Sequence, residues 1–80
     1  MPESARARLT PTQWLVLERL AAGDSNSAIA AALGITLRTV SAHLRAIYQR
    51  LPPAPRGNRR TAAATWYLTV GRAQRAATGA

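Results

Sequence analysis

The charged side chains of this chain favour binding to an anionic surface over catalysis. Its 80 residues include eleven arginines, no lysine, three acids and one histidine, which gives a net charge of +8. The three acids are Glu3, Glu18 and Asp24, so the chain beyond Asp24 carries arginine and no carboxylate side chain. Guanidinium groups concentrated in this way are typical of domains that contact the phosphates of nucleic acids.

The same composition lacks the residues that most enzymes and metal sites need. The chain has no cysteine, which excludes disulfides, thiolate zinc sites and cysteine nucleophiles. The single histidine, His43, has no second histidine or cysteine to join it, and the acids give no base–nucleophile pair. We therefore expect no enzymatic activity, no metal and no cofactor.

The hydropathy pattern gives no sign of a membrane or secretory segment. No apolar run approaches the roughly 20 residues that a membrane span needs, and residues 1–8 lack the apolar core of a secretory signal. The chain is therefore predicted to be cytoplasmic, to lie at the nucleoid if it binds DNA, and to have no membrane partner.

One predicted helix, residues 37–51, separates an apolar stripe from a polar face. The inward stripe has the spacing of a buried helix face and consists of Val40, Leu44, Ile47, Tyr48 and Leu51. The opposite face collects small or hydrogen-bonding side chains and no acid, namely Arg38, Ser41, Ala42, Arg45 and Gln49. Thr36 is the expected N-cap, and Pro52-Pro53 ends the helix because neither ring can continue the hydrogen-bond ladder.

A shorter helix lies directly before this one. Residues 28–33 place Ile29 and Leu33 on one face, and Gly34 closes the helix. Because only Ile35 separates Gly34 from the next N-cap, the two helices form a helix-turn-helix. Such a motif places its second helix in the major groove of duplex DNA, which is about 12 Å wide and just admits a helix. The residues predicted to read bases are Arg38, Ser41, Ala42 and Arg45.

A first helix is predicted to precede the helix-turn-helix. Thr10 and Gln13 have the spacing of a capping box, which places the start of the helix directly after Thr10. Leu9 and Trp14 have the spacing of a hydrophobic staple across the same boundary. Gly23 is expected to end this helix in the left-handed conformation.

A final helix is predicted over about residues 61–76, capped by Asn58 or Thr61. Its apolar stripe consists of Ala63, Trp66, Tyr67, Val70 and Ala73. Gly71 is expected to weaken this helix by about 1 kcal/mol relative to alanine. Trp66, like Trp14, falls on an inward stripe and is predicted to pack in the core or an interface rather than stack on bases.

Together these elements predict an all-α fold, a four-helix domain that contains a helix-turn-helix and spans residues 9–77. A flexible basic arm, residues 1–8, precedes the domain, and a frayed tail, residues 78–80, follows it. The connector of residues 52–59 is rich in proline and basic. The arginines in or beside it are expected to contact phosphate, with a merely solubilising role as the alternative; they are Arg56, Arg59 and Arg60.

Several segments resemble the LuxR/GerE (NarL/FixJ) type of DNA-binding domain. They are Leu9-Thr10-Pro11, Val16-Leu17, Leu20-Ala21-Ala22-Gly23, Ser25-Asn26, Ile29-Ala30, Leu33-Gly34-Ile35-Thr36 and Thr39-Val40-Ser41-Ala42-His43-Leu44. The similarity covers about residues 9–51 well and residues 58–70 loosely. One departure lies on the polar face, where Ser41 stands in place of the basic residue that is usual in this family.

The resemblance implies a transcriptional regulator that binds duplex DNA as a homodimer. It implies that Ser41, Ala42 and Arg45 face the bases and that the fourth helix pairs two subunits on an inverted repeat. The residues expected near phosphates on and around the third helix are Thr36, Thr39, His43 and Gln49. The residues expected in the dimer interface are Ala63, Trp66, Tyr67 and Val70. Because no receiver or ligand-binding domain precedes residue 9, we expect a regulator without one.

Two alternatives to this interpretation stay open. A module similar to region 4 of sigma factors would contact a promoter element together with RNA polymerase. A protein-interaction module would use the helix-turn-helix to bind a partner protein, with the apolar stripe of residues 66–73 as the contact. RNA polymerase or a signalling protein is accordingly a further candidate partner.

Overall fold

The computed structural model describes residues 8–53 and 58–77, and within those ranges the regular structure is entirely helical. The elements follow in the order α1 (Pro11–Ala21), α2 (Asn26–Leu33), α3 (Leu37–Arg50), α4 (Arg59–Trp66), a π-helical segment (Tyr67–Gly71) and α5 (Arg72–Ala77). The last three follow one another directly and together form the predicted fourth helix. The predicted all-α, four-helix fold is thus confirmed.

The start of α1 shows the predicted capping box. The side-chain oxygen of Thr10 accepts a hydrogen bond from the backbone N–H of Gln13 at 3.1 Å, and Gln13 Oε1 accepts from the backbone N–H of Thr10 at 3.0 Å. Leu9 is partly buried and packs against the core cluster that contains Trp14. These contacts satisfy backbone donors that a helix start otherwise leaves unpaired, and they fix the angle at which the chain enters α1.

The end of α1 is equally well defined. Gly23 has a φ of +95°, in the left-handed region that the sequence predicts for this position. The N–H of Gly23 donates to the carbonyl of Leu20 at 3.0 Å, and the N–H of Asp24 donates to that of Arg19 at 3.1 Å. These two bonds close the helix and turn the chain toward α2.

A tight turn joins α2 to α3. Ser25 caps α2 by accepting from the N–H of Ala28 at 3.1 Å, so α2 begins at Asn26, two residues before the predicted start. Gly34 ends α2 with a φ of +67°, and Thr36 caps α3. The axes of α2 and α3 differ by 107°, which lies within the range of helix-turn-helix motifs.

The hydrophobic core lies between α1, α2, α3 and α4. Its buried members are Trp14, Val16, Leu17, Leu20, Ile29, Ala30, Val40, Leu44, Ile47, Ala63 and Tyr67. The predicted stripe of α3 supplies three of them, and Tyr48 and Leu51 pack partly buried against the cluster. Because the stripe is anchored in the core, the opposite face of α3 is fixed toward solvent.

The fourth helix differs from the regular helix that the sequence predicts. Asn58 caps it, accepting from the N–H of Thr61 at 3.0 Å, but the hydrogen bonding shifts to the π pattern after Trp66. Within this stretch the N–H of Arg72 donates to the carbonyl of Tyr67, five residues earlier. One residue is therefore added to a turn, which changes the direction of the side chains that follow.

Within residues 8–53 and 58–77, no single helix is long and apolar enough to cross a membrane. Helices α2 and α3 are long and apolar enough for a membrane span only if they are counted together, and a bend of 107° separates them. In the same two ranges, no group of three histidine, cysteine, aspartate or glutamate side chains could hold a metal ion.

Candidate nucleic-acid interface

The polar face of α3 is open to solvent along its length. All five residues of this face are exposed, and they are Arg38, Ser41, Ala42, Arg45 and Gln49. On the opposite side of the same helix, Val40, Leu44 and Ile47 are buried. The structure thus brings the four residues predicted to read bases onto one accessible surface, which we call the α3 outer face, defined as residues 38, 41, 42, 45 and 49.

Two threonine hydroxyls lie together at the start of α3. Thr36 Oγ1 accepts from the backbone N–H of Thr39 at 3.1 Å, and the two hydroxyl oxygens are 3.0 Å apart. Two hydroxyls that share one hydrogen bond keep one O–H group to donate elsewhere. The start of a helix also carries partial positive charge. This end of α3 therefore offers a donor and a favourable field to a phosphate oxygen.

His43 lies at the boundary between the core and the α3 outer face. Its ring is half-buried, next in sequence to the buried Leu44. A side chain in this position is partly packed and partly accessible, as a phosphate contact at the edge of a groove would require.

The two described carboxylates are paired within the chain, away from α3. Asp24 forms an ion pair with Arg19 at 3.3 Å, and Glu18 forms one with Arg75 at 3.7 Å. These pairs lie on α1, on the turn after it and on α5. The negative side chains of the described residues are thus neutralised locally, and the α3 outer face carries only positive or neutral groups.

Arg60 has a different position from the one expected of a phosphate contact. Its Nη1 donates to Asn26 Oδ1 and its Nη2 to the backbone carbonyl of Asp24, each at 2.7 Å. The side chain is half-buried between α4 and the α1–α2 turn. Because both terminal nitrogens donate within the chain, Arg60 fixes α4 against the helix-turn-helix, and this corrects its expected role.

The other two arginines of the connector were predicted to contact phosphate as well. Arg59, at the first position of α4, is exposed and free to turn toward a ligand. Arg56 lies outside the described residues, as do residues 1–7 and 78–80, for which an arm and a tail are predicted. Arg8, the first described residue, is exposed, and its carbonyl accepts from Arg50 Nη1 at 2.6 Å, which ties the chain before α1 to the end of α3.

The four residues predicted to form a dimer interface do not share one surface. Ala63 is 3% exposed and Tyr67 is 6% exposed, both within the core of this same domain. Trp66 is half-buried, and its ring stacks on Trp14 with centroids 6.1 Å apart. Only Val70 is open, at 41%. Ala63 and Tyr67 are therefore not available to a second subunit, because the predicted stripe serves the core of its own domain.

Sequence reasoning missed one exposed apolar residue beside the α3 outer face. Leu37, the first residue of α3, is 52% exposed, more than any other large hydrophobic side chain among the described residues. The spacing of the residues could have predicted this position for Leu37. Residues 37, 41, 45 and 49 are four apart, and side chains at that spacing form one row along a helix.

A model of a known protein family matches the first part of the chain. The family model described as bacterial regulatory proteins, luxR family (GerE), matches residues 7–56, more than half of the chain. No curated protein sequence and no solved structure gives a significant match. The matched range includes α1, α2 and α3 and ends before α4.

Proposed function

The chain belongs to the luxR family of bacterial regulatory proteins, and on this premise we propose that it is a sequence-specific transcriptional regulator that inserts α3 into the major groove of duplex DNA. The observation that supports this most directly is the α3 outer face, whose five residues are exposed and include no acid, on a helix whose other side is anchored in the core. Phosphates line both walls of the groove, so a face without carboxylates avoids the repulsion between like charges.

The base contacts follow from the chemistry of the α3 outer face. Arg45 is the strongest candidate, because a guanidinium can donate two hydrogen bonds to the O6 and N7 atoms of guanine. Ser41 donates or accepts, and Ala42 is small enough to let the helix approach a base edge. Arg38, nearer the start of α3, completes the set of base-reading residues.

Other groups around α3, together with a connector arginine that lies outside the described residues, are proposed to hold the DNA backbone. They are Thr36, Thr39, His43, Gln49, Arg59 and, in the connector, Arg56. Arg60 leaves this set because its guanidinium is bonded to Asn26 and Asp24. Contacts to about four or five phosphates per subunit would lower log affinity against log salt concentration with a slope near −4.

We further propose that the protein binds as a homodimer through the fourth helix. The exposed apolar side chains of the π-helical segment, Leu68 at 48% and Val70 at 41%, are the candidate contacts there. Arg60 holds α4 to the turn before α2, so a contact on this helix would set the orientation of α3 in each subunit. Two α3 helices related by a twofold axis suit an inverted repeat.

A transcriptional role would place the protein in the cytoplasm, at the nucleoid, where RNA polymerase or a signalling protein would be further partners. No enzymatic step is part of this proposal.

Selection from random duplexes by the 80-residue chain, followed by affinity measurements at several salt concentrations, tests the proposed function. We expect an enriched sequence with twofold symmetry and a salt slope near −4 per subunit. A slope near zero with no enriched sequence would contradict DNA binding. Binding to RNA polymerase without autonomous DNA binding would favour a sigma-like module, and one co-purifying protein with no DNA shift would favour an interaction module.

A further inference from the structure

Leu37 lies outside the hydrophobic core of the domain. It directly follows the N-cap Thr36, is 52% exposed and does not belong to the core cluster. An isolated exposed leucine needs no special explanation in a globular protein. The position of Leu37 on α3, however, gives its side chain a specific neighbourhood.

Leu37 is the N-terminal member of the row that contains two proposed base-reading residues. Ser41 and Arg45 follow at intervals of four, and all three are exposed. Four residues advance a helix by about 6 Å, and helical side chains lean toward the N-terminus. Leu37 therefore extends the α3 outer face by one turn, at the end of a recognition helix that contacts base edges in a helix-turn-helix.

The major groove offers an isobutyl side chain only one kind of apolar partner. The exposed edges of guanine, adenine and cytosine present hydrogen-bonding atoms, whereas thymine adds the C5-methyl group. Phosphate oxygens cannot bind an alkyl group. A leucine buried against any other base edge would remove water from polar atoms without replacing their hydrogen bonds.

We propose that Leu37 contacts a thymine methyl group and is a specificity-determining residue of this protein. The proposal rests on the proposed function, because it assumes that α3 lies in the major groove. It adds a preference that hydrogen bonding alone does not provide: Leu37 distinguishes thymine from uracil, which has the same hydrogen-bonding edge, at one position of each half-site.

The test uses uracil, which differs from thymine only by the missing methyl group. Each thymine of the selected duplex is replaced singly by uracil, and the affinity of the wild-type chain and of Leu37→Ala is measured for every duplex. We expect one position per half-site where uracil weakens wild-type binding about three- to fivefold, the effect of one buried methyl. At that position Leu37→Ala should bind the thymine and uracil duplexes equally.

Two control variants keep the result specific. Leu37→Met retains an apolar side chain and should keep part of the thymine preference, and Leu15→Ala removes an exposed leucine of α1 (38% exposed) and should keep all of it. Circular dichroism melting shows whether each variant is folded; Leu37→Ala should melt like the wild type, because the side chain lies outside the core.

Two outcomes would overturn the inference, and they differ in what else they contradict. In the first, the wild type binds its selected duplex, but either Leu37→Ala keeps the full preference for thymine at every position or no uracil replacement weakens wild-type binding. Only the role of Leu37 is then wrong. If the wild type selects no duplex at all, the proposed function fails and the role of Leu37 fails with it.

Discussion

The ring of Trp66 occupies the space that a side chain at position 71 would need. A Cβ atom built on Gly71 would lie 2.6 Å from Trp66 Cζ3 and 2.9 Å from Cε3, both well inside van der Waals contact. The ring is itself stacked on Trp14, with an interplanar angle of 22°. Gly71 therefore has a packing role, whereas the sequence suggested only a weak position in the helix.

Replacing Gly71 by alanine should accordingly destabilise the domain. Helix propensity alone would favour alanine by about 1 kcal/mol, but forcing Trp66 away from Trp14 should cost about 1–3 kcal/mol. We expect the free energy of unfolding to fall by about 1 kcal/mol, measured by urea denaturation. In a Trp66→Ala background only the milder contact with Tyr67 Cδ1, at 3.2 Å, is left, and the same replacement should stabilise the protein. Additive effects of the two changes would contradict this account.

The neighbouring arginines Arg59 and Arg60 should respond differently to replacement by glutamine. Arg60→Gln removes two hydrogen bonds from a half-buried guanidinium, so the free energy of unfolding should fall by about 1–3 kcal/mol. The salt slope of DNA binding should stay unchanged. Arg59→Gln should leave stability within about 0.5 kcal/mol and reduce the salt slope by about 1.

These two variants are matched controls for each other, since each removes one positive charge at adjacent positions. A reduced salt slope for Arg60→Gln with unchanged stability would return Arg60 to the set of phosphate contacts.

Arg45→Ala should weaken binding to the selected duplex by about 1–3 kcal/mol, because a bidentate contact to guanine is lost. The control is Arg72→Ala, which removes the same charge from an exposed position on α5 and should cost much less. Titration of both variants with selected and scrambled duplexes separates the loss of a base contact from the loss of a phosphate contact. Equal losses for Arg45→Ala on both duplexes would show that Arg45 contacts only phosphate.

Glutamate at Leu68 or Val70 should weaken the proposed dimer without unfolding the domain, because both side chains are exposed. We expect sedimentation to show a monomer and affinity for a two-half-site duplex to fall at least tenfold. Affinity for a single half-site, which needs no second subunit, should change little. An unchanged dimer would place the interface elsewhere.

The features that the sequence predicted best depend on residues close together in the chain. The Thr10–Gln13 capping box, the left-handed Gly23 and the end of α2 at Gly34 are all local arrangements, and the structure shows each of them. Of the two caps predicted for the fourth helix, it shows Asn58. The α3 outer face was also predictable, because a clear apolar stripe on one side of a helix fixes what lies on the other.

The features that the sequence did not predict depend on contacts across the fold. Arg60 bonds to residues 34 and 36 positions away, and no local pattern identifies such partners. The π-helical segment follows Trp66, whose ring stacks on Trp14 of α1, and Ala63 and Tyr67 are buried in the core of the same domain. An apolar stripe predicts that one face of a helix is buried, but it does not predict whether that face packs against the same domain or against another subunit.

The ion pairs of Glu18 with Arg75 and of Asp24 with Arg19 have a consequence for how fast the proposed DNA target would be found. Both described carboxylates are in ion pairs on other elements, whereas α3 carries arginines and no acid. The electric field of the domain is therefore uneven and positive near α3. A polyanion such as DNA would be attracted toward the α3 side of the domain before any contact forms. Encounters would then be oriented productively from a distance, and the association rate constant would decline as added ions shorten the range of the attraction.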